Sequence, residues 1–113
     1  MRTLSSPITK SELVKIAKMK FGDFVKAVVD IQKSIIVIDA DLHADQEAEL
    51  LATGSKQEHL WGINLYPEQS GDDFIEFDSM INVRPGYGNT SRGVESEQIR
   101  KQIIEIVHRF IHQ

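Results

Sequence analysis

Residues 25–39, VKAVVDIQKSIIVID, decide the fold class. Val25, Ala27, Val29 and Ile31 alternate with Lys26, Val28 and Asp30, which predicts a strand. The run from Ser34 to Asp39 is nearly all β-branched, as in a strand covered on both faces. Only Gln32-Lys33 separates the two runs, so they are expected to pair as a hairpin. Neither residue is one that a tight primed turn prefers, which leaves the turn type open.

Helical signals lie on either side. Thr9 and Glu12 stand at capping-box positions, with Ile8 and Leu13 at the staple positions around them. A helix is therefore expected to begin just after Thr9, to carry Leu13, Ile16 and Ala17 on its apolar stripe, and to stop at Phe21-Gly22. A second helix is expected over about 44–53, with Ala44, Ala48 and Leu51 on one face and Gly54 closing it. Asp45 and Glu47 in its first turn complement the helix dipole. The last helix, over about 97–111, gathers Ile99, Ile103, Ile106, Val107 and Phe110 on a wide apolar face.

Two further strands are expected between the second and last helices. The third, 60–66, puts Trp61, Ile63 and Leu65 on one face and Gly62, Asn64 and Tyr66 on the other. The fourth, 74–84, turns Ile75, Phe77, Ile81 and Val83 inward and Glu76, Asp78, Asn82 and Arg84 outward, with Pro85-Gly86 ending it. The order is α-β-β-α-β-β-α. It describes a single α+β domain over residues 1–113, with a four-stranded, largely antiparallel sheet and packed helices.

Composition sets the outer bounds. A chain of 113 residues suits one domain and can bury a core without staples. Hydrophobic content of 41% and charged content of 27% are those of a globular chain. The 13 basic and 17 acidic residues leave a charge of −4, which disfavours nucleic acid as a partner because Lys and Arg must replace phosphate counterions. With no cysteine, disulfides, thiol catalysis and thiolate zinc sites are excluded. The longest apolar run, Ile35 to Ile38, falls far short of the roughly 20 residues of a membrane span, so no membrane partner is expected. The first ten residues, MRTLSSPITK, lack the apolar core of a signal peptide, and a cytoplasmic location is expected.

The segments FGDFVKAVVDIQ, LHADQEAELLATGSKQEHLWGINLYPE and FDSMINVRPGYGNTSRGVE resemble a family of small prokaryotic proteins known only as a domain of unknown function. The resemblance spans about Pro7 to Phe110. It implies a stand-alone, intracellular domain. It brings no established activity, cofactor or catalytic residues.

Chemistry-bearing residues concentrate in 74–93, FIEFDSMINVRPGYGNTSRG. If strands three and four pair, Asn64 and Tyr66 share a sheet face with some of Asp78, Asn82 and Arg84, and the following loop adds Asn89 and Arg92. Arg84 and Arg92 are candidate anion contacts, because a guanidinium presents a planar fork to carboxylate or phosphate. Asp78 is a candidate base, and Asn64, Asn82 and Asn89 are candidates for orienting a ligand. The competing reading is a solvated sheet face with cross-strand charge pairs. Gly88 and Gly93 have the glycine spacing of a phosphate loop, but Val94-Glu95 follows where Lys-Ser/Thr is required.

No metal site is expected. His43, Asp45 and Glu47 form the best cluster, yet their spacing supplies no convergent set. His108 and His112 lie four residues apart near the end of the last helix.

Three functions stay open. The preferred one is binding of a small anionic ligand at the strand-four and loop surface, with or without hydrolysis; whether the chain is an enzyme stays undecided. The second is a non-catalytic module that self-associates as a homodimer or regulates a partner, motivated by Val28, Phe74 and Met80 on otherwise polar faces. The third is an RNA-directed protein using Lys26, Arg84 and Arg92 as a local basic edge.

Overall fold

A computed structural model describes residues 1–113. Its radius of gyration, 12.9 Å, is near the ~13 Å of a compact domain of this length. The elements are β1 (Arg2–Thr3), β2 (Ile8–Thr9), α1 (Lys10–Lys18), β3 (Val25–Asp30), β4 (Ile35–Ile38), α2 (His43–Ala52), β5 (Leu60–Leu65), β6 (Ile75–Glu76), α3 (Glu97–Phe110) and β7 (Ile111–His112). The α+β class holds, with three helices and an antiparallel main sheet.

That sheet has five strands, not four, in the order β1-β4-β3-β5-β6. The N-terminal Arg2–Thr3 supplies the added edge strand, pairing with Ile38 and Val37. The central hairpin forms as expected, and β3 also pairs with β5 along its full length, Val25 with Leu65 through Asp30 with Leu60. The turn between β3 and β4 is closed by a side chain. Asp30 Oδ1 accepts the Gln32 and Lys33 amides at 2.9 Å each, and Ser34 takes a φ of 55°. A second, two-stranded parallel pair joins β2 to β7, Ile8 to Ile111 and Thr9 to His112. It ties the entry of α1 to the exit of α3.

The sheet is covered on both faces. On one side Val25, Ala27, Val29, Trp61, Ile63 and Leu65 meet Leu13 and Ala17 of α1 and Ile103, Ile106 and Val107 of α3 in the larger core. Full burial of such aliphatic side chains stabilises by about 1.5–3 kcal/mol each. α1 starts as its capping residues require, with the Glu12 amide donating to Thr9 Oγ1 at 3.1 Å. Gly22 follows with a φ of 94°, in the left-handed region that ends helices. On the other side Val28, Val37, Leu50 and Leu60 form a smaller core beneath α2.

α2 presents a different face from the expected one. Ala44, Ala48 and Leu51 are exposed, while His43, Gln46 and Leu50 are buried. Polar side chains can face the sheet here because backbone carbonyls receive them. Gln46 Nε2 donates to Lys26 O at 2.8 Å and reaches Val37 O at 3.3 Å; His43 Nε2 lies 2.7 Å from Ile63 O. The sheet face around Lys26 and Asp30 is therefore packed beneath a helix rather than solvated.

The predicted fourth strand is the main correction. Only Ile75–Glu76 pairs with β5. Beyond Ser79 the chain turns through Met80–Asn82, with the Ile81 amide capped by Ser79 Oγ at 3.3 Å. The turn breaks the two-residue period. Phe77 then packs on the larger core and Ile81 on the smaller one, on opposite faces of the sheet. Asn82 and Arg84, expected to face water, are buried.

Candidate functional site

The segment 79–93 replaces a strand along the open side of β5. Asn82 does this with its carboxamide. Its Oδ1 accepts the Gly62 amide at 2.9 Å, and its Nδ2 donates to Gly62 O at 3.0 Å and to Arg92 O at 2.9 Å. A side-chain amide has the same donor and acceptor pair as a peptide group, so it satisfies both of the edge groups of Gly62. The approach is close enough to need glycine: a Cβ on residue 62 would stand 2.5 Å from Ser79 Cβ.

Asn89 organises the next turn. Its Nδ2 faces the carbonyls of Asn82 and Gly93, both at 2.8 Å, and of Ser91 at 3.1 Å, while its Oδ1 accepts the Glu95 amide at 2.9 Å. Backbone bonds between Arg84 and Asn89 close the loop, and Gly88 takes a φ of 84°. Arg84 donates to the carbonyls of Gln57 and Leu60, and its guanidinium carbon sits 4.4 Å from the centre of the Trp61 ring. Burial lowers its pKa from the ordinary arginine value, opposed by the carboxylate of Glu47.

Asn64 Nδ2 donates to Glu76 Oε1 at 2.8 Å and reaches Asp78 O at 3.5 Å. Tyr66 donates its hydroxyl to the same Glu76 oxygen at 3.2 Å. Its pKa is raised, first by desolvation and then by the Glu76 charge. Arg92 Nε donates to Asp78 Oδ1 at 2.6 Å, with both side chains about half exposed. The fold thus gathers all six sequence-selected residues around one loop. It turns Asn64, Asn82, Arg84 and Asn89 toward the chain itself, and it pairs Asp78 with Arg92.

The glycine-bearing loop also holds a carboxylate. Glu95 Oε2 accepts the Thr90 and Ser91 amides at 2.8 Å each and lies 3.3 Å from Thr90 Oγ1. The Ser91 side chain, and then these amides, hold the Glu95 carboxyl below its usual range. The amides of this loop thus receive the chain's own Glu95, in keeping with a glycine spacing that lacks the Lys-Ser/Thr of a phosphate loop.

The sequence features behind the other two functions are also placed. Val28 and Phe74 lie in the cores, and Met80 alone of that trio is exposed, at 65%. Lys26, Arg84 and Arg92 do not stand as three free cations, since Arg84 is buried and Arg92 is ion-paired.

A separate cleft of about 760 Å³ opens between the segment 70–77 and α3. Its apolar wall is Phe74, Ile75, Phe77, Ile104 and Ile111; Lys10, Arg100, His108 and His112 bring basic groups to it, against a single acid, Asp72. Lys10 Nζ lies 4.3 Å from the centre of the Phe74 ring. Arg100 is anchored through Nη1 on Val94 O at 2.6 Å and on Glu95 O at 3.1 Å. The ion pairs of the protein involve neither Lys10 nor Arg100. The β2–β7 pairing builds one end of this cleft, because it sets Thr9, the neighbour of Lys10, opposite His112. Sequence reasoning missed the assembly, whose parts are far apart in the chain. Two signals pointed to it: the His108–His112 spacing, and Phe74 standing on a nominally polar strand face.

A family model described as "Protein of unknown function (DUF5674)" matches residues 2–110, and the chain belongs to that family. No curated protein and no solved structure matches it.

Proposed function

We propose that this protein binds a small organic anion with an apolar body in the cleft between residues 70–77 and α3. The observation that carries this reading is the pairing of an apolar wall, Phe74, Phe77 and Ile104, with the unpaired cations Lys10 and Arg100 in one cavity of about 760 Å³. Ligand sites combine these features at this size, typically within about 300–1,000 Å³. In this proposal Asn64, Asn82, Arg84 and Asn89 hold the loop, and the Asp78–Arg92 pair stands apart from the ligand.

The test is a thermal-shift series with phenylpropionate, hexanoate and phenylphosphonate against their neutral amide or ester counterparts. Binding to the native state at a hundred times Kd adds about 2.7 kcal/mol of stability, a shift of about 10 °C for a chain of this size. The acids are expected to raise Tm and the neutral compounds to do little. Lys10→Gln is expected to remove most of the response. No shift from any acid at saturating concentration, or an equal shift from the neutral compounds, overturns the reading.

A further inference from the structure

The cleft has a backbone side as well as a side-chain side. β6 is the edge of the main sheet. Tyr66 N–H donates to Phe74 O at 2.8 Å, and Glu76 stands opposite Asn64. Backbone groups of alternate residues point to opposite sides of a strand. Phe74 and Glu76 therefore address β5, and Ile75 and Phe77 turn their N–H and C=O groups outward. The Phe77 carbonyl lies against Gly93, where the chain returns and the Ser79 amide donates to Arg92 O at 2.9 Å; the Ile75 N–H and C=O and the Phe77 N–H have no hydrogen-bond partner, and no strand lies beyond β6. Ile75 borders both the large cleft and a second cleft of about 460 Å³.

From this we infer that the occupant is an extended peptide with a free carboxyl terminus and an apolar last side chain, added as a short strand to β6. The inference rests on the cleft reading above and names its ligand class. Three requirements meet in such a peptide. Its amides and carbonyls match the Ile75 N–H and C=O and the Phe77 N–H, as in recognition by strand addition. Its apolar side chain fits against Phe74, Phe77 and Ile104, which the edge places beside it. Its terminal carboxylate complements Lys10 and Arg100, which lack anionic partners in the protein. A simple organic acid meets only the last two. Edge strands are normally blunted by charge, bulges or a covering element. Here the edge is short and lies beside a helix-walled cleft, which limits pairing to a few residues of a partner and disfavours sheet-to-sheet association.

The test uses the full chain, 15N-labelled, with four probes: acetyl-Ala-Leu-Phe as the free acid, the same peptide as its C-terminal amide, the free acid with N-methylated leucine and phenylalanine amides, and phenylpropionate. Titration by NMR gives affinities, and amide hydrogen exchange reads the edge directly. The free-acid peptide is expected to bind at least tenfold more tightly than phenylpropionate. It should also slow exchange at the Ile75 or Phe77 amide at least tenfold, while the amide and N-methylated peptides lose most of that affinity. If phenylpropionate binds as well as the peptide, or exchange at both amides is unchanged, the strand-addition inference falls while the organic-anion reading stands. If neither the peptide nor the organic acid binds, both fall together. Equal binding of the acid and amide peptides overturns the role given to the carboxylate.

Discussion

Replacing Asn82 with alanine removes the side chain that stands in for a missing strand. Asn82 is fully buried, and its carboxamide serves the Gly62 amide, the Gly62 carbonyl and the Arg92 carbonyl at 2.9–3.0 Å. Alanine leaves both Gly62 groups without that partner and takes one of two donors from Arg92 O, which keeps the Ser79 amide at 2.9 Å. A buried group deprived of its partner costs about 1–3 kcal/mol, and partial entry of water recovers some of it, so a loss of about 3–5 kcal/mol is expected. That is a large share of the roughly 5–15 kcal/mol that stabilises a domain. Urea unfolding followed by tryptophan fluorescence measures it, since Trp61 is buried beside Arg84 of the same loop. With a slope of about 2 kcal/mol per molar, the midpoint should fall by about 2 M. Asn82→Asp keeps the acceptor for the Gly62 amide but turns a carboxylate oxygen toward two carbonyls, and should be at least as damaging at neutral pH. A loss below about 1 kcal/mol for Asn82→Ala, at unchanged slope, would refute the view that this carboxamide holds the segment. It would also return Asn82 to consideration as a ligand contact, because a residue reserved for ligand leaves stability largely unchanged when it is removed.

Gly62→Ala should cost about 1–3 kcal/mol through its collision with Ser79 Cβ, and adding Ser79→Gly should recover part of the loss; no recovery in a double-mutant cycle of urea midpoints would place the strain elsewhere. His43 yields a pH dependence. Its pKa is lowered chiefly by burial, so the unfolded chain takes up a proton near pH 6.5 that the folded chain resists. Stability conferred by neutral His43 is present above that value and is lost as pH falls toward the lowered folded pKa; urea midpoints of wild type should drop between pH 7.5 and 5, and His43→Gln should flatten that slope. For the exposed Asp78–Arg92 pair, a double-mutant cycle with alanine should return a coupling below about 1 kcal/mol, and a coupling above 2 kcal/mol would mean that the pair organises the loop.

Local signals carried the fold where each element could be recognised from its own residues. The Thr9 cap, the apolar stripe of α3 and the β-branched run of β4 all predict the structures they form. They depend on neighbours within a turn or on simple periodicity, which the linear order contains. The segment 74–84 defeated the same reasoning. Its alternation is that of a strand, yet two residues pair before Ser79 caps a turn. What stabilises the turn is Gly62, twenty positions away, whose missing side chain admits Ser79 and whose backbone receives Asn82.

The same distinction separates class from site. Composition and periodicity by themselves determined an α+β domain, a central antiparallel hairpin and three helices, because burial of apolar faces is a property that each element carries with it. Only the tertiary structure decided that α2 would bury Gln46 and His43 rather than its alanines, since a buried polar group is tolerated only where an acceptor stands opposite. Only the tertiary structure brought Lys10, Phe74 and Arg100 to one cleft, and set the edge strand β6 beside it. Hydrogen-bond partners and cavities are relations between distant residues, and the order of residues along a chain specifies them only once the chain has folded.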